Sequence, residues 1–157
     1  PIVEVLNGAY VNNPFVISQN DNQVSINTAI EIDLSGQVAS ESIGHIQYSG
    51  TGGQADTARG AVLSKGGRSI IALYSTANIR NRETGERELK SKIVSQLTPG
   101  AIVSLQRQDT DYVVTEFGVA NLRGCNVAER VERLIAIAHP DFRDELLADA
   151  RAYGIVA

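Results

Sequence analysis

A short apolar run, Ser69-Ile70-Ile71-Ala72-Leu73, follows two consecutive glycines at positions 66 and 67. An uninterrupted apolar run of this length is typical of a strand buried on both faces, as in a parallel sheet covered by helices. Further short segments rich in β-branched residues lie at 24–26, 29–34, 101–105 and 112–115. They predict additional strands, so the chain before residue 116 is expected to supply a sheet.

The last third of the chain is predicted to be helical. Asn126 can cap a helix, and Glu129 lies three residues later, in the position of a capping box. Pro140 suits the first turn of a second helix, and Gly154 a helix end. We expect both helices to pack on the sheet through two apolar faces, the first formed by Val127, Val131, Leu134, Ile135 and Ala138 and the second by Phe142, Leu146, Ala150 and Tyr153.

The composition limits the classes of function. The chain has 157 residues with a formal net charge of −4, which suits one domain and argues against a nucleic-acid binder. Its one cysteine, Cys125, excludes an internal disulfide framework and favours a reducing compartment, so we expect a cytoplasmic protein. No apolar run approaches the roughly 18–20 residues that span a bilayer, so no membrane segment is predicted.

Several features carry no predicted chemistry. The sequence lacks the motifs H-E-x-x-H, C-x-x-C and G-x-S-x-G, so no metal site is predicted. His45, His139 and Cys125 stand alone and are interpreted as structural residues. The segment 78–92 mixes both signs of charge around Thr84 and Gly85, and predicts a solvated turn or a two-stranded excursion without a ligand.

The stretch 47–56 is rich in glycine, with Gly50, Gly52 and Gly53 within four positions. Glycines let the backbone turn sharply and approach a ligand closely, and consecutive N–H groups in such a turn can hold an anion or a developing oxyanion. The segment 56–63 has helical potential, which would place a helix N-terminus behind the loop. Taken alone, the pattern also fits an ordinary tight turn.

The sequence Asn12-Asn13-Pro14 is a second candidate. Proline biases the preceding residue towards extended geometry, so the asparagine side chains are aimed with little freedom. Their amides can hydrogen-bond a carboxylate or carbonyl at any pH. An Asx-type turn between two elements is the alternative that the residues alone favour.

These segments together resemble the C-terminal domain of the acetyl-CoA hydrolase/transferase family, and its 4-hydroxybutyrate CoA-transferase branch in particular. One of the matching motifs is Tyr48-Ser49-Gly50-Thr51-Gly52-Gly53-Gln54. The resemblance continues, in order along nearly the whole chain, through residues 12–14, 25–38, 40–44, 59–61, 64–73, 75–77, 112–120, 122–124 and 138–143.

The resemblance implies an α/β fold with a largely parallel sheet flanked by helices, and a ping-pong transfer of coenzyme A between carboxylic acids. In that family a glutamate attacks the acyl-CoA thioester, and a glutamyl-CoA thioester follows. Gly52 and Gly53 would then supply an oxyanion-hole amide and line the thioester, Asn12 would orient the glutamate, and Gly50 and Gln54 would also contact coenzyme A, with Tyr48 a less certain neighbour. Coenzyme A would be a substrate, with no permanently bound cofactor.

The nucleophilic glutamate of the family normally lies upstream of the first matching segment, and none of Glu31, Glu41 and Glu116 is promoted to that role. The chain has no methionine and begins with Pro1, from which we expect a single domain, 1–157, of a longer polypeptide that is inactive alone. The expected partners are an N-terminal domain of the same polypeptide and further copies in a homo-oligomer. Two alternatives stay open: an acyl-CoA hydrolase, and a free-standing domain that binds coenzyme A without catalysis.

Overall fold

The computed structural model describes residues 2–80 and 85–157, in which a four-stranded sheet forms the centre. No helix in these two ranges is long and apolar enough to cross a membrane. The elements, in chain order, are α1 (Gly8–Val11), α2 (Pro14–Ser18), β1 (Val24–Thr28), β2 (Glu31–Asp33), β3 (Val38–Ala39), β4 (Ser42–Ile43), β5 (Ile46–Gln47), α3 (Gln54–Leu63), β6 (Arg68–Ala72), β7 (Thr76–Arg80), β8 (Arg87–Ser91), β9 (Ile93–Val94), β10 (Tyr112–Thr115), β11 (Gly118–Asn121), α4 (Val127–Ala136), a 3-10 turn (Pro140–Phe142) and α5 (Arg143–Ala152).

The central sheet has the strand order β1-β6-β10-β11. The pairs β1–β6 and β6–β10 are parallel, and β11 returns antiparallel to β10 through a tight turn. Because α3 connects the first half of the chain to β6, it packs on β1 and β6 as a crossover helix does in an α/β fold. The predicted α/β class with a largely parallel sheet is confirmed.

One face of this sheet is covered. Ile71 of β6 and Val113 of β10 are fully buried on it, together with Ala58 of α3 and Leu134 of α4. Helix α4 begins as predicted, because the Asn126 side chain accepts from the N–H of Glu129 at 3.0 Å and the Glu129 carboxylate accepts from the N–H of Asn126 at 2.8 Å. The capping box and the helix that follows it are confirmed.

The segment 101–105 is not a strand, and this expectation is wrong. Only Leu105 forms a single bridge, with Val38, while Ile102 and Val103 are exposed. The N–H of Ile102 donates to the hydroxyl of Ser42 instead of to a strand. Because side chains satisfy the backbone here, the β-branched residues do not build a ladder.

The expected burial of Tyr153 is also wrong, since this residue is 55% exposed. Helix α5 ends at Ala152, and Gly154 adopts a left-handed φ of 66° that reverses the chain. Ile155 and Val156 therefore pack against the core in its place.

The charged segment 78–92 forms part of an antiparallel hairpin of β7 and β8, which confirms the two-stranded excursion. Thr84, at its predicted tip, lies outside the described residues.

Candidate functional site

The glycine-rich loop ends at the N-terminus of α3. Gly52 has a left-handed φ of 63°, and Gly53 is the N-cap residue, whose carbonyl accepts from the N–H of Thr57 at 3.0 Å. Within residues 2–80 and 85–157, the N–H of Gly53 has no hydrogen-bond acceptor. The first N–H groups of a helix have no partner inside it and carry partial positive charge. The loop therefore presents free donors at the start of a ten-residue helix.

Asn12 lies directly against this loop, although the two are 41 positions apart. A Cβ atom built on Gly53 would stand 3.2 Å from Asn12 Nδ2 and 3.7 Å from its Cγ. Asn12 is the C-cap residue of α1, and the next residue, Asn13, caps α2 by accepting from the N–H of Phe15. Pro14 occupies the first position of α2, as its fixed φ favours. The structure thus brings the two sequence candidates together.

The contact depends on how α2 packs on α3. A Cβ atom on Gly60 of α3 would lie 2.5 Å from Ile17 Cγ2 of α2 and 3.2 Å from the carbonyl oxygen of Pro14. Ile17 is buried against this glycine. Only a residue without a side chain allows this approach, so Gly60 sets the distance between the helices that carry Asn12 and Gly53.

Gln54 ties the start of α3 to the end of β1. Its Nε2 donates to the carbonyl of Thr28 at 3.1 Å, and the side chain is buried with Oε1 lacking a partner among the described residues. Asn27 Nδ2 reaches Thr57 Oγ1 at 3.3 Å, one turn further along α3. These bonds hold the helix N-terminus over the carboxyl end of β1.

The outer part of the loop is exposed. The N–H groups of Tyr48 and Ser49 donate to the carbonyl of Glu41, after which the chain runs free to Gly50. A Cβ atom on Gly50 would have no neighbour within 4 Å. Asn12, Gly52, Gly53 and Gln54 thus form one group, and Gly50 and Tyr48 lie at its exposed rim.

A cavity of about 360 Å³ opens beside this group, at the carboxyl ends of the three parallel strands. Open α/β sheets bind their ligands at this edge. Thr28, whose carbonyl holds Gln54, also lines the cavity, so the cavity and the glycine loop are neighbours. The lining residues are Thr28, Ala72, Leu73, Tyr74, Lys92, Val114, Thr115 and Glu116.

Two charged residues of this cavity were not singled out by the sequence. Lys92 Nζ donates to the carbonyl of Ala29 at 2.9 Å, and burial lowers the pKa of Lys92, with the nearby charge of Glu116 opposing that effect. Glu116 accepts from Ser75 N–H at 2.9 Å and from Ser75 Oγ at 2.6 Å. Burial raises the pKa of Glu116, but the hydrogen bonds from Ser75 and the backbone outweigh it and leave the pKa below its usual value.

The position of Glu116 could have been suspected, since it directly follows a predicted parallel strand. Lys92 offered no such signal. It lies between the hairpin and β9, and only tertiary packing brings it to the carbonyl of Ala29.

The lone residues have structural surroundings. Both carboxylate oxygens of Glu31 accept from Thr98, through its N–H and its hydroxyl. His139 accepts from the N–H of Asp141 at 3.3 Å at the start of the 3-10 turn, and Cys125 Sγ donates to the carbonyl of Asn121. Glu41 is buried, and its Oε2 has no partner among the residues described.

Comparison with known proteins agrees with the resemblance found in the sequence. The profile of the acetyl-CoA hydrolase/transferase C-terminal domain matches residues 1–150. A succinyl-CoA:cyclohexane-1-carboxylate CoA transferase of Geobacter metallireducens is 52% identical over 151 residues, which are 96% of this chain and 33% of that protein. A 4-hydroxybutyrate coenzyme A transferase of Clostridium kluyveri is 52% identical over 147 residues, 94% of this chain and 32% of that protein.

Among solved structures, RipA from Yersinia pestis superposes with a TM-score of 0.80 at 48% sequence identity, covering 94% of this chain and 31% of RipA. The chain therefore spans about a third of the length of the proteins that it resembles.

Proposed function

Because the chain belongs to the acetyl-CoA hydrolase/transferase family through its C-terminal domain, we propose that it forms part of an acyl-CoA:carboxylate CoA-transferase. The contact between Asn12 and Gly53 at the N-terminus of α3 carries this proposal. It joins a neutral side-chain amide to a free backbone N–H, two groups that stabilise negative charge on an oxygen without titrating themselves.

The chemistry to be served is an exchange of thioester and anhydride bonds. A carboxylate outside this chain attacks the acyl-CoA carbonyl, and the carbonyl oxygen becomes an oxyanion as the tetrahedral intermediate forms. The N–H of Gly53 would donate to that oxyanion, and the partial charge of the α3 N-terminus would add to it. Loss of one such donor costs enzymes about 2.7–4 kcal/mol of transition-state stabilisation.

Coenzyme A would pass along the glycine loop. Gly50, Gly52 and Gly53 have no side chains to obstruct a narrow thioester arm, and Gly50 lies at the exposed rim. Gln54 would act by holding the helix N-terminus against Thr28. The carboxylate substrate would occupy the neighbouring cavity between Lys92 and Glu116.

The choice of acyl group is proposed to lie largely outside this chain. Two relatives named for different acids, cyclohexane-1-carboxylate and 4-hydroxybutyrate, are both 52% identical to it. Similarity in this third of the protein therefore does not distinguish their substrates.

The test compares Asn12→Ala with Asn7→Ala in the full-length protein. Asn12 makes no side-chain hydrogen bond among the described residues, whereas Asn7 caps α1 by accepting from the N–H of Ala9 at 2.8 Å. We expect Asn12→Ala to lower kcat for CoA transfer by roughly 10–100-fold without loss of stability. Asn7→Ala should cost up to about 1 kcal/mol of stability and keep kcat. Unchanged turnover in Asn12→Ala would refute the assigned role.

Hydrolysis is the second candidate, because the family description includes acetyl-CoA hydrolases. In that case water, in place of a second carboxylate, would resolve the thioester. Measuring free coenzyme A and new acyl-CoA with and without an acceptor acid distinguishes them. A transferase forms acyl-CoA only with the acceptor, and a hydrolase releases free coenzyme A in either condition.

A further inference from the structure

The second face of the central sheet is apolar and uncovered in this chain. Cα pairing places Ile26 beside Ile70, Ala72 beside Val114, and Val114 beside Val119, so these side chains share one face. Ile26 is 69% exposed and Val119 is 63% exposed. We call this surface the outer face, formed by Val24, Ile26, Thr28, Ile70, Ala72, Tyr112, Val114 and Val119.

Exposure of this face departs from how parallel sheets are built. Sheets of parallel strands occur almost only with both faces covered, and their strands are apolar on both sides for that reason. The run 69–73 has that composition, yet only Ser69, Ile71 and Leu73 are buried, and Ile70 and Ala72 are partly exposed. The sequence of β6 thus matches a covering layer that this chain does not supply.

Strand β1 shows the same incompleteness at its edge. It pairs with β6 on one side, and within residues 2–80 and 85–157 no strand pairs with its other side. Its outward residues Val24 and Ile26 are apolar and bear no charge that would discourage pairing. An exposed apolar edge beside an exposed apolar face is a surface that another segment normally covers.

The outer face also continues into the cavity of the candidate site. Thr28, Ala72 and Val114 belong to both the face and the cavity lining. A layer placed on this face would therefore roof the cavity and exclude water from Lys92 and Glu116.

We infer that, in the full-length protein, the outer face and the open edge of β1 are covered by the N-terminal part of the same polypeptide. The relatives carry about two thirds of their length outside the matched region, and the matched region is their C-terminal domain. That length is ample for helices on the face and a strand beside β1. The inference rests on family membership and on the packing of the sheet, and it stands apart from the roles proposed for Asn12 and Gly53.

The test measures thiol accessibility in the full-length protein. Ile26→Cys and Val119→Cys probe the outer face, and Leu63→Cys is the control, because Leu63 of α3 is 61% exposed but lies off that face. Each native variant is labelled with N-ethylmaleimide, the modified peptides are quantified by mass spectrometry, and each rate is divided by the rate in denaturant. We expect labelling at positions 26 and 119 to be at least about tenfold slower than at position 63. Equal rates would overturn the inference.

A crosslink identifies what covers the face. A thiol-reactive photo-crosslinker is attached to the Ile26→Cys variant, which is refolded or co-expressed as a mixture of ¹⁴N and ¹⁵N chains. Crosslinks from position 26 to peptides outside this 157-residue region, within chains of a single isotope, support the inference. Crosslinks of mixed isotope would assign the face to a second copy, and crosslinks only to residues within this region would assign it to the region itself; both results overturn it. None of these readouts depends on catalytic activity.

Discussion

Replacing Gly53 separates catalysis from stability, because the space around this residue is limited only by Asn12. The backbone of Gly53 has a φ of −102°, which any residue can adopt. A Cβ atom would lie 3.2 Å from Asn12 Nδ2, about 0.2 Å inside ordinary contact, which begins near 3.4 Å. Asn12 is exposed and can move by that amount. Gly53→Ala should therefore cost less than about 1 kcal/mol of stability, with reduced entropy of the unfolded chain offsetting the contact.

The effect on turnover should be larger. Moving the Asn12 amide and crowding the free N–H disturbs donors that must be positioned to within a fraction of an ångström. We expect kcat for CoA transfer to fall roughly tenfold in Gly53→Ala, equivalent to about 1.4 kcal/mol, and roughly 10²–10³-fold in Gly53→Val, whose two further methyl groups must displace Asn12.

The assay is steady-state CoA transfer by the full-length protein, with thermal denaturation of the same preparations. Gly8→Ala is the control, since a Cβ on Gly8 would have no neighbour within 4 Å. Wild-type kcat in Gly53→Val would refute the reasoning. Stability losses that parallel the losses of activity would instead make the contact purely structural.

Two further predictions concern buried charges. Arg130 of α4 donates to three backbone carbonyls and is 9% exposed, so Arg130→Met should lower the free energy of unfolding by about 2–4 kcal/mol in chemical denaturation. Arg133→Met, on the exposed side of α4, should cost under about 1 kcal/mol, and equal losses would contradict this. Burial raises the pKa of Asp111, with opposing effects from the Ser69 N–H and nearby arginines, so its ionised form destabilises the fold and stability falls as pH rises through the folded pKa. Asp111→Asn should raise the thermal midpoint near pH 7, and a gain that persisted below about pH 4 would refute the assignment.

Local signals in the sequence predicted the elements that depend on local physics. The capping box at Asn126 and Glu129 formed as predicted because its bonds join residues three apart. The strands β1, β6 and β10 formed where β-branched residues cluster. The segment 101–105 has the same composition, yet it bonds to Ser42 and Val38, and no local pattern reports such distant partners.

The candidate site was predictable in its parts but not as an assembly. Asn12 and the glycines were named from turn chemistry and the family resemblance, whereas their contact depends on packing between α2 and α3. Lys92 enters the cavity through a bond to Ala29, 63 positions away. Sequence spacing carries no information about such an approach.

The close packing at Gly60 has a consequence for how this domain tolerates change. Its position is remote from the reacting groups, and a survey of surface and loop positions would pass over it. Yet any side chain there must push α2 away from α3, because Ile17 already fills the space. Substitutions at this one position would act as a graded spacer under Asn12, and attempts to engineer the domain for new acids should leave it as glycine while they vary the cavity wall.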